Sequence, residues 1–173
     1  MALGADEQAR LVALLRRLAA EGGAMPTTPR PIWDALAGVV PRLAVELCLT
    51  RPTHEDAIWL SYRDDESWRG WHIPGGFVGA GESLADACRR IGARELGVEL
   101  ELGAVVGDFA WPDHPCGAVL SLLCAVRSEV EPGADRGRWF EALPNDMVSH
   151  HAEFVAHFRR ARALDDLPRR PSW

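Results

Sequence analysis

The chain predicts an α/β fold, a mixed central sheet flanked by helices, with an extra helix at the N-terminus. Three observations lead there. Apolar runs of strand length recur from RLAVELCLT to GRWFEAL, in part with the period of two that a sheet imposes. Segments with helical apolar spacing precede, interrupt and follow them. The two kinds of element mix without a regular strand–helix–strand rhythm, so helices packed on the faces of a mixed sheet are the expected arrangement.

At 173 residues and 19.0 kDa the chain is long enough for one domain with a real core. Its expected division is an N-terminal helix and linker over 1–30, a main domain over 31–164 and a tail over 165–173. The net charge of −6 argues against long nucleic acid as a partner, because binding a phosphate backbone needs a concentrated basic surface. Small phosphorylated ligands need only a few local arginines and stay open. The four cysteines, Cys48, Cys88, Cys116 and Cys124, form no Cys-x-x-Cys pair and no zinc spacing. They read as reduced thiols in a core. Charges interrupt the N-terminus every few residues, and no apolar run is long enough to cross a bilayer. The expectation is a soluble cytoplasmic protein without a membrane partner.

Residues 6–20 have Asp6 as a plausible N-cap and an apolar stripe of Leu11, Leu14, Leu15 and Leu18. Glu21-Gly22-Gly23 ends this helix, and the proline-rich residues 25–31 continue no regular element. The stripe has two candidate partners, the domain itself or a second copy in a homodimer. A short helical segment over 32–39 follows. In RLAVELCLT, Leu43, Val45, Leu47 and Leu49 alternate with smaller or polar residues, which makes a strand. DAIWLSYR pairs with it across a turn at 52–55, and WHIPGGFV is a third strand with a glycine break. Residues 84–96 form a helix with Leu84, Ala87, Cys88, Ile91 and Leu96 near helical spacing. Strands around 100–111 and 117–128 are joined by PDHPCG, and a short strand at 137–143 leads into a polar turn. A terminal helix over 151–164 turns Phe154, Val155, Phe158, Ala161 and Leu164 inward, and the tail after it reads as loose.

The stretch from Trp71 to Val98 carries the chemistry. Gly76, Glu82, Arg90, Glu95, Gly97 and Val98 stand at the fixed spacings of a long gapped pattern. This stretch resembles the box of the Nudix hydrolases: Gly, five residues, Glu, seven residues, then Arg-Glu-hydrophobic-x-Glu-Glu-x-Gly-hydrophobic. Ile91, Gly92 and Arg94 depart from it. The preceding IPGG, Tyr62-Arg63 at a strand end, and Arg138-Trp139 followed by Leu143-Pro144 resemble family counterparts too. The chain from Pro41 to Phe158 takes part.

The resemblance implies a Nudix-type sandwich of helices and mixed sheet. It also implies hydrolysis of a nucleoside diphosphate linked to another group, with Mg2+ or Mn2+. Hard divalent cations take oxygen ligands and bridge carboxylates to phosphates. Carboxylates at helix positions i, i+3 and i+4 share one face, and here those positions hold Ile91, Arg94 and Glu95. Two readings follow. In one, Glu95 with the Gly75 carbonyl anchors a single metal, a pattern similar to GDP-mannose mannosyl hydrolase-like members, which keep only the last of these acids. A nucleotide sugar is then the substrate class implied. Those members also carry a Gln-His pair where Gly133 and Ala134 stand here, and an arginine where Phe77 stands. In the other reading the fold binds a ligand or partner without turnover.

The metal candidates are therefore Glu95, Gly75 and Glu82. Glu82 also suits a structural role before a helix N-terminus. Substrate-binding candidates are Arg63 and Arg90, Arg94 as a replacement for a missing cation, and Trp111 as a stacking platform alongside Trp68 and Trp71. The general base is left open among His72, His114, His150 and His151, whose imidazoles titrate in a useful range.

Overall fold

The computed structural model describes residues 3–20, 28–51 and 54–163. Among these it places four helices and seven strands. Helix α1 spans Ala5–Ala20 and α2 spans Arg30–Ala37. Strands β1 (Arg42–Arg51), β2 (His54–Asp64), β3 (Arg69–His72) and β4 (Gly75–Phe77) precede helix α3 (Leu84–Glu95). Strands β5 (Glu101–Trp111), β6 (Val119–Arg127) and β7 (Arg138–Phe140) lead to helix α4 (Ser149–Ala163). No helix among the described residues is long and apolar enough to cross a membrane.

The sheet runs β3-β2-β1-β6-β5, with β4 on β1 and β7 on β2. It is mixed: β1 lies parallel to β6 and antiparallel to β2 and β4. Helix α3 covers one face over Val45, Leu47, Leu49, Ala87, Cys88, Ile91, Cys124 and Val126. Helix α4 covers the other, where Phe154, Val155 and Phe158 meet Cys48, Ile58, Leu60 and Leu123. The expected helix–sheet–helix layering is therefore what folds, because the alternation of strand side chains supplies an apolar face to each helix.

One detail of the sheet creates the site. Strand β1 pairs with β2 only near Thr50 and Arg51, and its other half pairs with β4 through Ala44, Val45 and Glu46. Meanwhile β2 continues alone with β3, through Ser61 to Asp64. The run read as one strand with a glycine break is thus two strands with different partners. Ile73 and Pro74 cross the split between them.

Two expectations shift. Helix α1 begins at Ala5, so Asp6 lies in its first turn and is not the N-cap. The Glu7 carboxylate accepts from the Gly4 amide at 2.8 Å there. Its leucine stripe does not enter the core: α1 buries no residue, and Leu11 and Leu14 remain 45% and 47% exposed. The first hairpin turn is shorter than 52–55, since His54 already faces Arg51 across the ladder. Leu164 and the tail lie outside the described residues. Helix α2 is held by Arg42, which donates to the Trp33 carbonyl at 2.6 Å and to the Cys116 carbonyl, with its guanidinium 3.7 Å from the Trp33 ring. Trp33 packs edge-on against Phe77.

Candidate active site

The turn between β4 and α3 is built by its own polar residues. Gly81 has φ +75°, in the left-handed region that disfavours a side chain. Ser83 caps α3 by accepting from the Asp86 amide at 3.1 Å. Glu82 accepts from the Gly79 amide at 2.7 Å, and Arg90 grips both its oxygens at 2.6 and 2.7 Å. The same guanidinium donates to the Phe77 carbonyl at 2.9 Å. Arg90 foremost, and then the Gly79 amide, hold the Glu82 carboxyl below its usual range. Glu82 and Arg90 thus clamp turn, strand and helix together, a bidentate pair in a partly buried setting.

The face where the box acids belong is filled. Ile91 is fully buried in the core cluster under α3. A methyl group built on Gly76 would meet Ile91 Cδ1 at 3.2 Å and Arg94 Nη2 at 3.0 Å. Arg94 in turn donates to Glu95 Oε1 at 2.7 Å, both partly open to solvent. Hydrocarbon and guanidinium therefore lie over Gly76, and Glu95, the one acid kept among the three helix positions, is ion-paired with its neighbour. Gly92 is explained by packing. A methyl there would come within 2.5 Å of Leu100 Cγ, so the helix meets the segment leading into β5 too closely for the family's hydrophobic residue.

The opposite face of β4 holds a carboxyl that periodicity did not single out. Glu46 on β1 stands directly across from Gly75. Its Oε1 accepts from Ser121 Oγ at 2.9 Å, and its Oε2 occupies the space where a Gly75 side chain would be. Burial pushes the Glu46 acid up to about 8, against the Ser121 hydrogen bond and the charge of Arg63. Leu47 donates to the Pro74 carbonyl and Val78 to the Leu43 carbonyl. Alternation along an antiparallel ladder then makes Glu46–Gly75 a pair without mutual hydrogen bonds, with the Gly75 carbonyl turned away from β1.

Around the split gather the imidazoles. The His72 and His151 rings lie 5.6 Å apart, and those of His150 and His151 4.4 Å. Trp68 touches both His114 and His150, and Trp111 packs on His150 and Phe154. Trp71 instead faces Tyr62 and Phe140. Burial, then neighbouring positive charge, lowers all four histidines: His150 to about 4, His151 well below its usual value, and His72 and His114 in the same direction. They stand as neutral imidazoles at pH 7. His151 Nδ1 accepts from the Ile73 amide at 3.2 Å and His114 Nδ1 from the Cys116 amide at 3.0 Å. His72 Nδ1 is buried without a hydrogen-bond partner. Arg63, exposed and bonded to Asp65, acts electrostatically on Glu46, His72, His114 and His151, and Glu95 acts on His72.

The structure thus brings Arg63, Glu95, Gly75, Trp111 and the four histidines to the neighbourhood of the sheet split, with Arg94 at Glu95. Glu82 and Arg90 are engaged in the clamp. Among the described residues no group of three or more His, Cys, Asp or Glu side chains is placed to hold a metal ion. The donors that suit a hard cation are oxygens near β4, the Gly75 carbonyl among them.

A family model described as NUDIX domain matches residues 40–158. The low-salt glycan biosynthesis protein Agl8 of Haloferax volcanii is 38% identical over 87 residues, which are 49% of this chain and 54% of that protein. The chain therefore spans about half the length of the curated relative it matches. A MutT NUDIX hydrolase structure from Burkholderia pseudomallei superposes with TM-score 0.57 at 22% identity, covering 68% of this chain and 98% of that one. A NUDIX hydrolase from Nitrosomonas europaea gives TM-score 0.56 at 16% identity, covering 70% and 90%. At such identities the structural likeness is one of fold.

Proposed function

The chain belongs to the Nudix family, and from that premise we propose that it hydrolyses a nucleoside diphosphate linked to a small group, with a nucleotide sugar as the leading class. The observation that carries this reading is the intact turn. The Glu82–Arg90 clamp holds the Gly75–Phe77 strand against α3, beside a cationic Arg63 and neutral imidazoles. The Haloferax relative's part in glycan biosynthesis supports a sugar-linked substrate.

Family members generally use Mg2+ or Mn2+, and here the Glu95 carboxylate of the box and the Gly75 carbonyl just before it are the donors that remain. A bound divalent cation would supply charge neutralisation at the diphosphate. Arg63 and Arg94 are suited to bind phosphate oxygens through bidentate guanidinium contacts. Trp68 and Trp111 offer ring faces to a base or sugar. His72, whose Nδ1 has no hydrogen-bond partner and whose pKa is lowered chiefly by burial, is neutral at pH 7 and is the imidazole assigned here as proton acceptor.

The test is a panel of nucleoside diphosphate sugars and related diphosphates, with and without Mg2+ or Mn2+. The expected result is metal-dependent turnover, with Arg63→Ala lowering kcat/KM about tenfold or more, a loss of roughly 1.4 kcal/mol in transition-state binding. One observation favours a second reading, a binding module: Ile91 and Arg94 fill two acid positions. Calorimetric binding of a panel member without turnover under any metal would select it.

A further inference from the structure

We propose that Glu46, on the central strand and outside the box helix, is a carboxylate ligand of the divalent cation, acting with the Gly75 carbonyl on the face of β4 opposite Ile91 and Arg94. The inference rests on the metal-dependent reading above and deepens it by relocating the principal acid.

The argument begins from the two faces of a three-residue strand. Successive residues of a strand point to opposite sides. On the side of Gly76 lie the Ile91 side chain and the Arg94 guanidinium, a hydrocarbon that offers no donor and a cation that repels another. On the side of Gly75 lies the Glu46 carboxylate, directly across the ladder. Metal ligation on the first side is opposed by the residues that replaced the acids. On the second side it is favoured by an acid that the box does not include.

Glu46 is also short of partners for a carboxylate in a sheet. Ser121 Oγ satisfies one oxygen. The other is turned over Gly75, where only a glycine leaves room, since a methyl there would collide with Oε2 and lie 2.7 Å from the Val45 carbonyl. Glu46 ionises to ligate a cation, and the ionised form requires a counter-charge; Arg63, the cation acting on it, is already bonded to Asp65. The Glu46 carboxylate over Gly75 and the Gly75 carbonyl that β1 leaves unpaired are hard oxygen donors on adjoining positions, and one or two carboxylates plus substrate phosphates are the usual complement of Mg2+.

The experiment measures Mn2+ binding to the full chain without substrate, by the electron paramagnetic resonance signal of free Mn2+. Wild type is compared with Glu46→Gln, Glu95→Gln and Ser121→Ala. Near-UV circular dichroism and melting in EDTA confirm that each variant is folded. Glu46→Gln is expected to weaken Mn2+ binding about tenfold or more. Ser121→Ala keeps the carboxylate, and its affinity is expected to stay within about threefold. Wild-type affinity in folded Glu46→Gln overturns the assignment, as does the absence of Mn2+ binding by wild type at millimolar metal. Failure of the hydrolase reading shows separately, as lack of turnover by wild type across the diphosphate panel. If wild type turns over and only Glu95→Gln loses Mn2+, the Glu46 assignment alone falls.

Discussion

Ile91 shows how far one side chain redirects a metal-site helix. The spacing of the box identifies it as a departure, and its position among Ala87 and Cys88 on the apolar stripe says why: it belongs to the core. Restoring the family acid is therefore expected to break the fold and not to rebuild a metal site. Ile91→Glu places a carboxyl in a fully buried position, and the lost packing plus desolvation should cost more than about 3 kcal/mol in urea unfolding. Arg94→Glu, at a half-exposed position, should stay within about 1 kcal/mol of wild type. Glu46 was less legible. In RLAVELCLT it reads as one polar residue of an alternating strand, yet Ala44 and Cys48 on the same face are buried. The available signal was that the smaller residues between the leucines are themselves apolar, which marks a strand covered on both sides. A glutamate is then the exception that needs a reason.

At the scale of elements, order and type were readable because each strand and helix carries its own period and its own stops, such as Ser83 before α3 and Gly97 after it, at φ +71°. What could not be read was partner choice. Whether residues 71–78 form one strand or two depends on where β1 leaves β2, a long-range pairing with no local mark. The close approach of α3 to Leu100, just before β5, was equally hidden, and it yields a test. Gly92→Ala raises intrinsic helix propensity by about 1 kcal/mol, but its methyl meets Leu100 Cγ and Cδ1 at 2.5 and 2.7 Å. Overpacking is expected to win, with a net destabilisation of about 1–2 kcal/mol seen as a lower urea midpoint at unchanged slope. A more stable Gly92→Ala protein would mean that α3 can slide on the sheet, and with it the Glu82–Arg90 clamp.

Across the whole molecule, the cleft groups set opposing pH dependences of stability. The four histidines are lowered by burial in the folded state, so below pH 6.5 the unfolded chain binds more protons than the fold. Their contribution to stability is complete above pH 6.5 and is lost as the pH falls, until His150 itself protonates at about 4. Glu82, held low by Arg90, adds to the acid-side loss below its unfolded pKa. Glu46 works in the other direction. Its folded value of about 8 lies above the unfolded 4.5, so the fold holds a proton that the unfolded chain releases, and stability falls as the pH rises between those values. Above pH 6.5 the histidines no longer contribute, and below the range where the shifted thiols Cys48, Cys88 and Cys124 titrate, Glu46 sets the slope. The metal-free protein in EDTA is therefore expected to be most stable near neutral pH and to lose about 1–2 kcal/mol by pH 8, at about 1.4 kcal/mol per pH unit for one proton, reduced because Glu46 is only partly buried. Urea midpoints from pH 4 to 9 measure this. Glu46→Gln should remove the alkaline decline and leave the acid limb in place, whereas an alkaline decline that persists in that variant would assign the slope to another group.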